Sequence, residues 1–178
     1  MERFVALLLL VSGIPEGLEA RSFKRLTETI SVENGTLTRG VIEDGPFGGN
    51  GGGGWTDGGE VHLNGHPSAL DVRTGSKLDA LRIRYGDVYG DWHGGGGGSP
   101  HSCEWDAGDE VFIVQGRAGS EIDEIEFITL GGQICGPFGG GGGGTWVSTH
   151  PGCVLEYLSG NSGSRIDSLT IHWSCETM

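Results

Sequence analysis

The sequence predicts an all-β domain in which one unit is used three times, and three observations carry that expectation. The string Gly75-Ser76-Lys77-Leu78-Asp79 returns as Gly119-Ser120-Glu121-Ile122-Asp123 and again as Gly163-Ser164-Arg165-Ile166-Asp167, with the aspartates 44 residues apart both times. Glycine runs ending at Gly54, Gly98 and Gly144 keep step, lying 25, 25 and 23 residues before those aspartates. Behind each aspartate apolar and polar residues alternate, which is the period of a strand with one wet face. A fixed period of this length marks a repeat architecture. Each unit therefore supplies one glycine-rich loop and one carboxylate loop.

From the N-terminus, the apolar run Val5 to Val11 behind Arg3 reads as a signal peptide over residues 1–20. It is too short for a membrane-spanning helix, which takes ~20 apolar residues, and no later stretch qualifies. Residues 21–38 read as a polar leader, with a glycosylation candidate at Asn34 in the sequon Asn34-Gly35-Thr36. Residues 39–178 form the repeat domain. Within it, Leu81, Ile83 and Tyr85 alternate with Arg82 and Arg84; Ile125 and Phe127 alternate with Glu124 and Glu126; Leu169, Ile171 and Trp173 alternate with Ser168, Thr170 and His172. Ala69 to Arg73, Glu110 to Gln115 and Val154 to Leu158 read as the strands that enter the three carboxylate loops. With the segments flanking the glycine runs, the count reaches about four strands per unit. No helical period is found after residue 20. Two closed all-β solutions have this symmetry, the β-prism with three four-stranded sheets and the β-trefoil. Nothing resembles the Gln-x-Trp signature of a trefoil, and the glycine runs suit tight turns at one end of a prism.

Composition narrows the function. The 37 glycines in 178 residues would fit disorder if they were scattered, but they cluster in three loops between alternating strands. A formal charge of −13 argues against nucleic acid as a partner. Cys103, Cys135, Cys153 and Cys175 are disulfide candidates in a chain expected to be secreted and extracellular, with all three pairings open. None sits at an equivalent repeat position, so they staple the second and third repeats rather than define the unit. His101 with Cys103 and His150 with Cys153 lack a familiar zinc spacing, and no calcium loop of the Asp-x-Asp-x-Asp-Gly kind occurs, so neither metal nor cofactor is expected. Gly-x-Gly-x-x-Gly occurs trivially in the glycine runs, but no Gly-Lys-Ser/Thr follows. Trp55 and Trp146, each behind a glycine run, are read as sheet packing.

The segment Gly45-Pro46-Phe47-Gly48-Gly49-Asn50-Gly51-Gly52-Gly53-Gly54-Trp55-Thr56-Asp57-Gly58 resembles the opening of plant mannose-binding jacalin-related lectins, with Phe47 in place of Trp and Thr56 in place of Asp. Leu158 to Trp173 and Leu81 to Trp92 are similar to the animal secreted, zymogen-granule branch of that family. The resemblance covers roughly residues 39–174. It implies a jacalin-like β-prism I fold and carbohydrate binding without metal or catalysis. By the same resemblance, one site uses the Asp167 carboxylate, the backbone of Ser164, Arg165 and Ile166, and Gly52, because the last carboxylate loop meets the first glycine loop where the prism closes. Extended to the other repeats, this places Asp79 with Lys77, Leu78 and Gly97, and Asp123 with Glu121, Ile122 and Gly143. Leu78, Ile122 and Ile166 are read as anchors tucked inward. With all three carboxylate motifs intact, up to three sites are expected.

The chemistry agrees with that assignment. One ionised carboxylate accepts hydrogen bonds from two adjacent pyranose hydroxyls, and such charge-assisted bonds are the stronger kind. A facing glycine lets backbone approach the sugar with no Cβ in the way. The sequence is therefore read as a non-enzymatic lectin for mannose- or glucose-type glycans and glycoproteins, with a homo-oligomer left open. An acidic extracellular or mineral-associated matrix protein is the alternative. A glycosidase would need two carboxylates paired across one bond, and the repeat separates the three aspartates instead.

Overall fold

The structure is a computed structural model that describes residues 25–32 and 35–176. The expected signal peptide and Asn34 lie outside the described residues. The strands are β1 (Arg25–Val32), β2 (Gly35–Gly48), β3 (Gly53–Thr56), β4 (Pro67–Thr74), β5 (Leu78–Tyr85), β6 (Val88–Tyr89), β7 (His93–Gly94), β8 (Ser99–Glu104), β9 (Val111–Ala118), β10 (Ile122–Thr129), β11 (Ile134–Gly139), β12 (Gly144–Ser148), β13 (Cys153–Ser162) and β14 (Ile166–Glu176), with one helix, α1 (Gly58–Asn64). They build three antiparallel sheets, ordered β1-β2-β14-β13-β3, β11-β10-β9-β12 and β6-β5-β4-β8, with β7 also pairing β5. Two of the sheets thus exceed the four strands expected of each. The extra strand β1 pairs with β2 from Arg25↔Ile42 to Val32↔Gly35, inside the stretch read as a leader. The helix corrects the expectation of none. Its seven residues begin with two glycines and include no buried residue, so they carry no apolar stripe long enough to read.

All three sheets turn their period-two apolar faces onto one core. Leu81, Ile83, Tyr85, Ile125, Phe127, Leu169, Ile171 and Trp173 are fully buried, as the alternation requires. Tyr85 reaches out of this core to donate its hydroxyl to the buried Asp57 carboxylate at 3.0 Å. Burial, and then the Asp57 charge, push its ionisation far above the usual phenol range. Trp173 donates its indole N–H to Ser148 Oγ at 2.8 Å, which pays the polar cost of burying the ring. Chain closure is the consequence that matters for function. β2 pairs with β14 from Ser168↔Gly48 to Glu176↔Arg39, so the first glycine run and the last carboxylate loop belong to one sheet.

Both cysteine pairs are disulfides. Cys153–Cys175 ties directly opposite positions of the β13–β14 hairpin, whereas Cys103–Cys135 joins β8 of one sheet to β11 of another. The tryptophans pack as expected. Trp146 stacks on Phe47 at 4.3 Å and Trp55 on His93 at 3.7 Å.

Candidate functional site

The three carboxylate loops are the turns of the hairpins β4–β5, β9–β10 and β13–β14. In each, the leading glycine donates its N–H to the carbonyl two residues on (Gly75 to Lys77, Gly119 to Glu121, Gly163 to Arg165, each 3.0 Å). Leu78, Ile122 and Ile166 follow at 0% exposure. Each thus anchors the strand start, and the pleat turns the next side chain, the aspartate, away from the core.

A glycine run then closes over each aspartate. Gly49, Gly95 and Gly140 donate their N–H groups to the backbone carbonyls of Asp167, Asp79 and Asp123 at 2.8, 2.9 and 2.8 Å. Three residues later, Gly52, Gly98 and Gly143 adopt φ of +68°, +69° and +60°. A Cβ at any of the three would stand 2.6 Å from Oδ2 of the facing aspartate. The wiring inferred from prism closure is therefore the wiring observed.

One register assignment needs correcting. The counterpart of Gly52 and Gly143 is Gly98, not Gly97, because only the left-handed residue turns the run over the end of the strand entering the carboxylate loop. That strand end is Ser162, Thr74 or Ala118. Gly97 belongs with Gly51 and Gly142, where an added Cβ would run into Oδ1 of the same carboxylate. Gly51 and Gly142 went unnoticed in the sequence. The offset of two from the bonded glycine identifies them, and that hydrogen bond is visible only in the fold.

Each site also has a third wall, from the neighbouring repeat. Gly49 packs against the Ser120 backbone, Gly95 against Ser164 and Gly140 against Ser76. The residue after each serine consequently stands over the next site. Lys77 Nζ lies 2.7 Å from Asp123 Oδ1, and Arg165 Nε lies 3.5 Å from Asp79 Oδ1. Glu121 lines an open cleft of roughly 550 Å³ together with Gly49, Asn50, Gly51, Ser120 and Asp167. It is held there by Arg165 Nη1 at 3.2 Å and Lys77 Nζ at 3.8 Å. Among the described residues no cation pairs with Asp167.

A second asymmetry points the same way. Arg73 donates to the Gly97 carbonyl at 3.0 Å, and Arg117 donates to the Gly142 and Gly143 carbonyls at 2.8 Å each. Both arginines brace a glycine run. The equivalent position in the third repeat, 44 residues after Arg117, is Asn161, which is too short to do so. The run from Gly51 to Gly54 is exposed throughout, as are Gly96 to Gly98 and Gly141 to Gly144, so the sites differ in the arginine brace and not in the exposure of their glycines. The Asp167 site thus has an accessible acceptor carboxylate and glycine backbone around a cleft, which suits a neutral, hydroxyl-rich ligand. Because the cysteines are bonded to one another, the His101/Cys103 and His150/Cys153 pairs offer no thiolate to a metal.

Comparison with known proteins agrees with this geometry. The jacalin-like lectin domain matches residues 44–172. Zymogen granule membrane protein 16 of Rattus norvegicus is 33% identical over 143 residues, covering 79% of this chain and 84% of that protein. Wild-type Malaysian banana lectin superposes with a TM-score of 0.66 at 25% identity, covering 77% of this chain and 99% of the lectin. Artocarpin complexed with Me-alpha-mannose superposes at 0.67 and 19% identity, covering 75% and 97%. Three sheets around one core, three glycine runs each closing over a carboxylate, and a domain match across most of the chain lead to one assignment: this protein belongs to the jacalin-like lectin family, a family of carbohydrate-binding lectins.

Proposed function

We propose that this chain is a secreted, non-enzymatic lectin that binds mannose- or glucose-type residues of glycans and glycoproteins at Asp167 without a metal ion. The observation that carries the reading is that Asp167, alone of the three loop aspartates, faces an open cleft with no cation on it among the described residues. Two neighbouring ring hydroxyls donate to its two oxygens, the backbone of Ser164 to Ile166 addresses the remaining ring oxygens, and Gly51 and Gly52 leave room for the sugar face. The artocarpin complex supports the choice of a mannose-type sugar. The two disulfides support an oxidising compartment. One solvated sugar held by a few hydrogen bonds binds at ~1 mM, about −4 kcal/mol.

A glycan array, repeated with Asp167→Ala, tests the reading. The wild type should retain mannose- or glucose-terminated glycans and the variant should lose them. An array silent for neutral glycans, or unchanged by Asp167→Ala, would overturn it.

A further inference from the structure

Lys77, Glu121 and Arg165 hold the same position in the three carboxylate loops, and each stands over the site of the next repeat. Lys77 reaches Asp123, Arg165 reaches Asp79, and Glu121 shares the cleft of Asp167. We propose that this position is the gate of the neighbouring site and sets how many sugars the chain holds: Lys77 closes the Asp123 site, Arg165 guards the Asp79 site, and Glu121 leaves the Asp167 site open. The proposal rests on the reading that a loop aspartate is the acceptor for sugar hydroxyls.

The Asp123 site shows the gate most clearly. At 2.7 Å the Lys77 ammonium occupies the donor position on Oδ1 that a sugar hydroxyl would need. Asp123 is 2% exposed, and its Oδ2 is buried with no hydrogen-bond partner. A lone ammonium satisfies one oxygen of this carboxylate, whereas a pair of adjacent hydroxyls would satisfy both. The free Oδ2 points between Gly119 and Gly143, the two glycines whose counterparts flank Asp167 Oδ2, namely Gly163 and Gly52. The second site is thus built to the same plan as the third but filled by the protein's own cation.

At Asp79 the guard is looser, since Arg165 is 44% exposed and stands 3.5 Å away, beyond a good hydrogen bond. At Asp167 the gating side chain carries the opposite charge. Glu121 cannot pair with a carboxylate, and Arg165 and Lys77 draw it to the rim. The sign of one side chain in each loop thereby sorts three similar sites into closed, guarded and open.

The test is a titration of the intact, disulfide-bonded protein with methyl α-mannoside, followed by calorimetry and by backbone amide shifts. Wild type should take up one equivalent, with shifts at Gly51, Gly52 and Asp167 and none at Gly142, Gly143 and Asp123. Lys77→Gln should gain one equivalent that the added Asp123→Ala removes, and Lys77→Arg should not gain it. Glu121→Lys should lose the wild-type equivalent while its melting temperature stays close to wild type. A Lys77→Gln protein that binds no more sugar than wild type, or wild-type shifts centred on Asp123, would overturn the gate. Should Lys77→Gln fail to fold, retention of the wild-type equivalent by Glu121→Lys would overturn it equally. A wild type that takes up no sugar would defeat the Asp167 reading, and the gate would still be judged by whether Lys77→Gln rises from none to one.

Discussion

Adding a single methyl group at three successive glycines should separate binding from folding at the Asp167 site. At Gly51, a Cβ would enter the space of Asp167 Oδ1 and touch nothing else closely except the same carboxylate, and the residue's φ lies outside the left-handed region. At Gly52, the Cβ would stand 2.6 Å from Asp167 Oδ2, collide with the Ser162 backbone, and force φ = +68° on an alanine. At Gly53 it would meet nothing within 4 Å. Gly51→Ala should therefore displace the carboxylate and leave the fold alone. Losing even one charge-assisted hydrogen bond, about 1.5–3 kcal/mol, weakens binding by roughly 10- to 100-fold. Its melting temperature should stay within about 2 °C of wild type, as for an ordinary surface change. Gly52→Ala should lose binding as well, and the left-handed conformation adds about 1–2 kcal/mol of destabilisation, or roughly 2–8 °C in a domain of this size. Gly53→Ala should change neither quantity. The assays are calorimetric titration with methyl α-mannoside and thermal unfolding by circular dichroism. Wild-type affinity in Gly51→Ala would refute the placement of the sugar on the Asp167 carboxylate. Equal melting temperatures for Gly52→Ala and Gly53→Ala would refute the strain argument.

Binding to immobilised mannan should be unchanged by a chelator, because the ligand is held by carboxylate and backbone; loss of binding that calcium restores would contradict this. Removing the inter-sheet Cys103–Cys135 bond, whose partners are 32 residues apart, with Cys103→Ser and Cys135→Ser should cost about 3–4 kcal/mol by loop-closure entropy. Unfolding in guanidinium measures that loss, and a shift under about 1 kcal/mol would show that the sheets hold together without the bond. Acid should destabilise the fold through His172, whose buried ring, 2.7 Å from Ser159 Oγ, is pushed down to about 4 by burial. Glu43, 3.7 Å from Nδ1 and partly exposed, stands too far away to offset that burial. The unfolded chain thus takes up this proton first. The contribution is full above about pH 6.5 and is lost at up to about 1.4 kcal/mol per unit as pH falls toward 4. In His172→Gln the unfolding free energy should fall less steeply across that window; a slope equal to wild type would remove His172 from the account.

The repeat, the strand faces and the three aspartates were legible in the sequence because each is local. A period of 44 is a property of residue identity, and alternation along a strand needs only the pleat to turn Ile83, Phe127 or Ile171 inward. The facing of Asp167 by Gly52 was legible as well, but through family resemblance, since the β2–β14 pairing that creates it joins opposite ends of the chain. The short helix α1 and strand β1 escaped, the first because seven residues opening on two glycines show no periodic apolar face, the second because it precedes the repeats, so that the alternation of Leu26, Ile30 and Val32 with polar residues has no 44-residue counterpart to mark it. Gly98 was misassigned to Gly97 because counting glycines cannot say which residue of a run must turn left-handed over Thr74. Only the tertiary structure could reveal that Lys77 and Arg165 serve the carboxylates of other repeats while Glu121 leaves Asp167 uncovered. Side chains 46 and 86 residues from those carboxylates in sequence meet them because three sheets converge on one end of the prism, and charge acts through distance in space rather than along the chain.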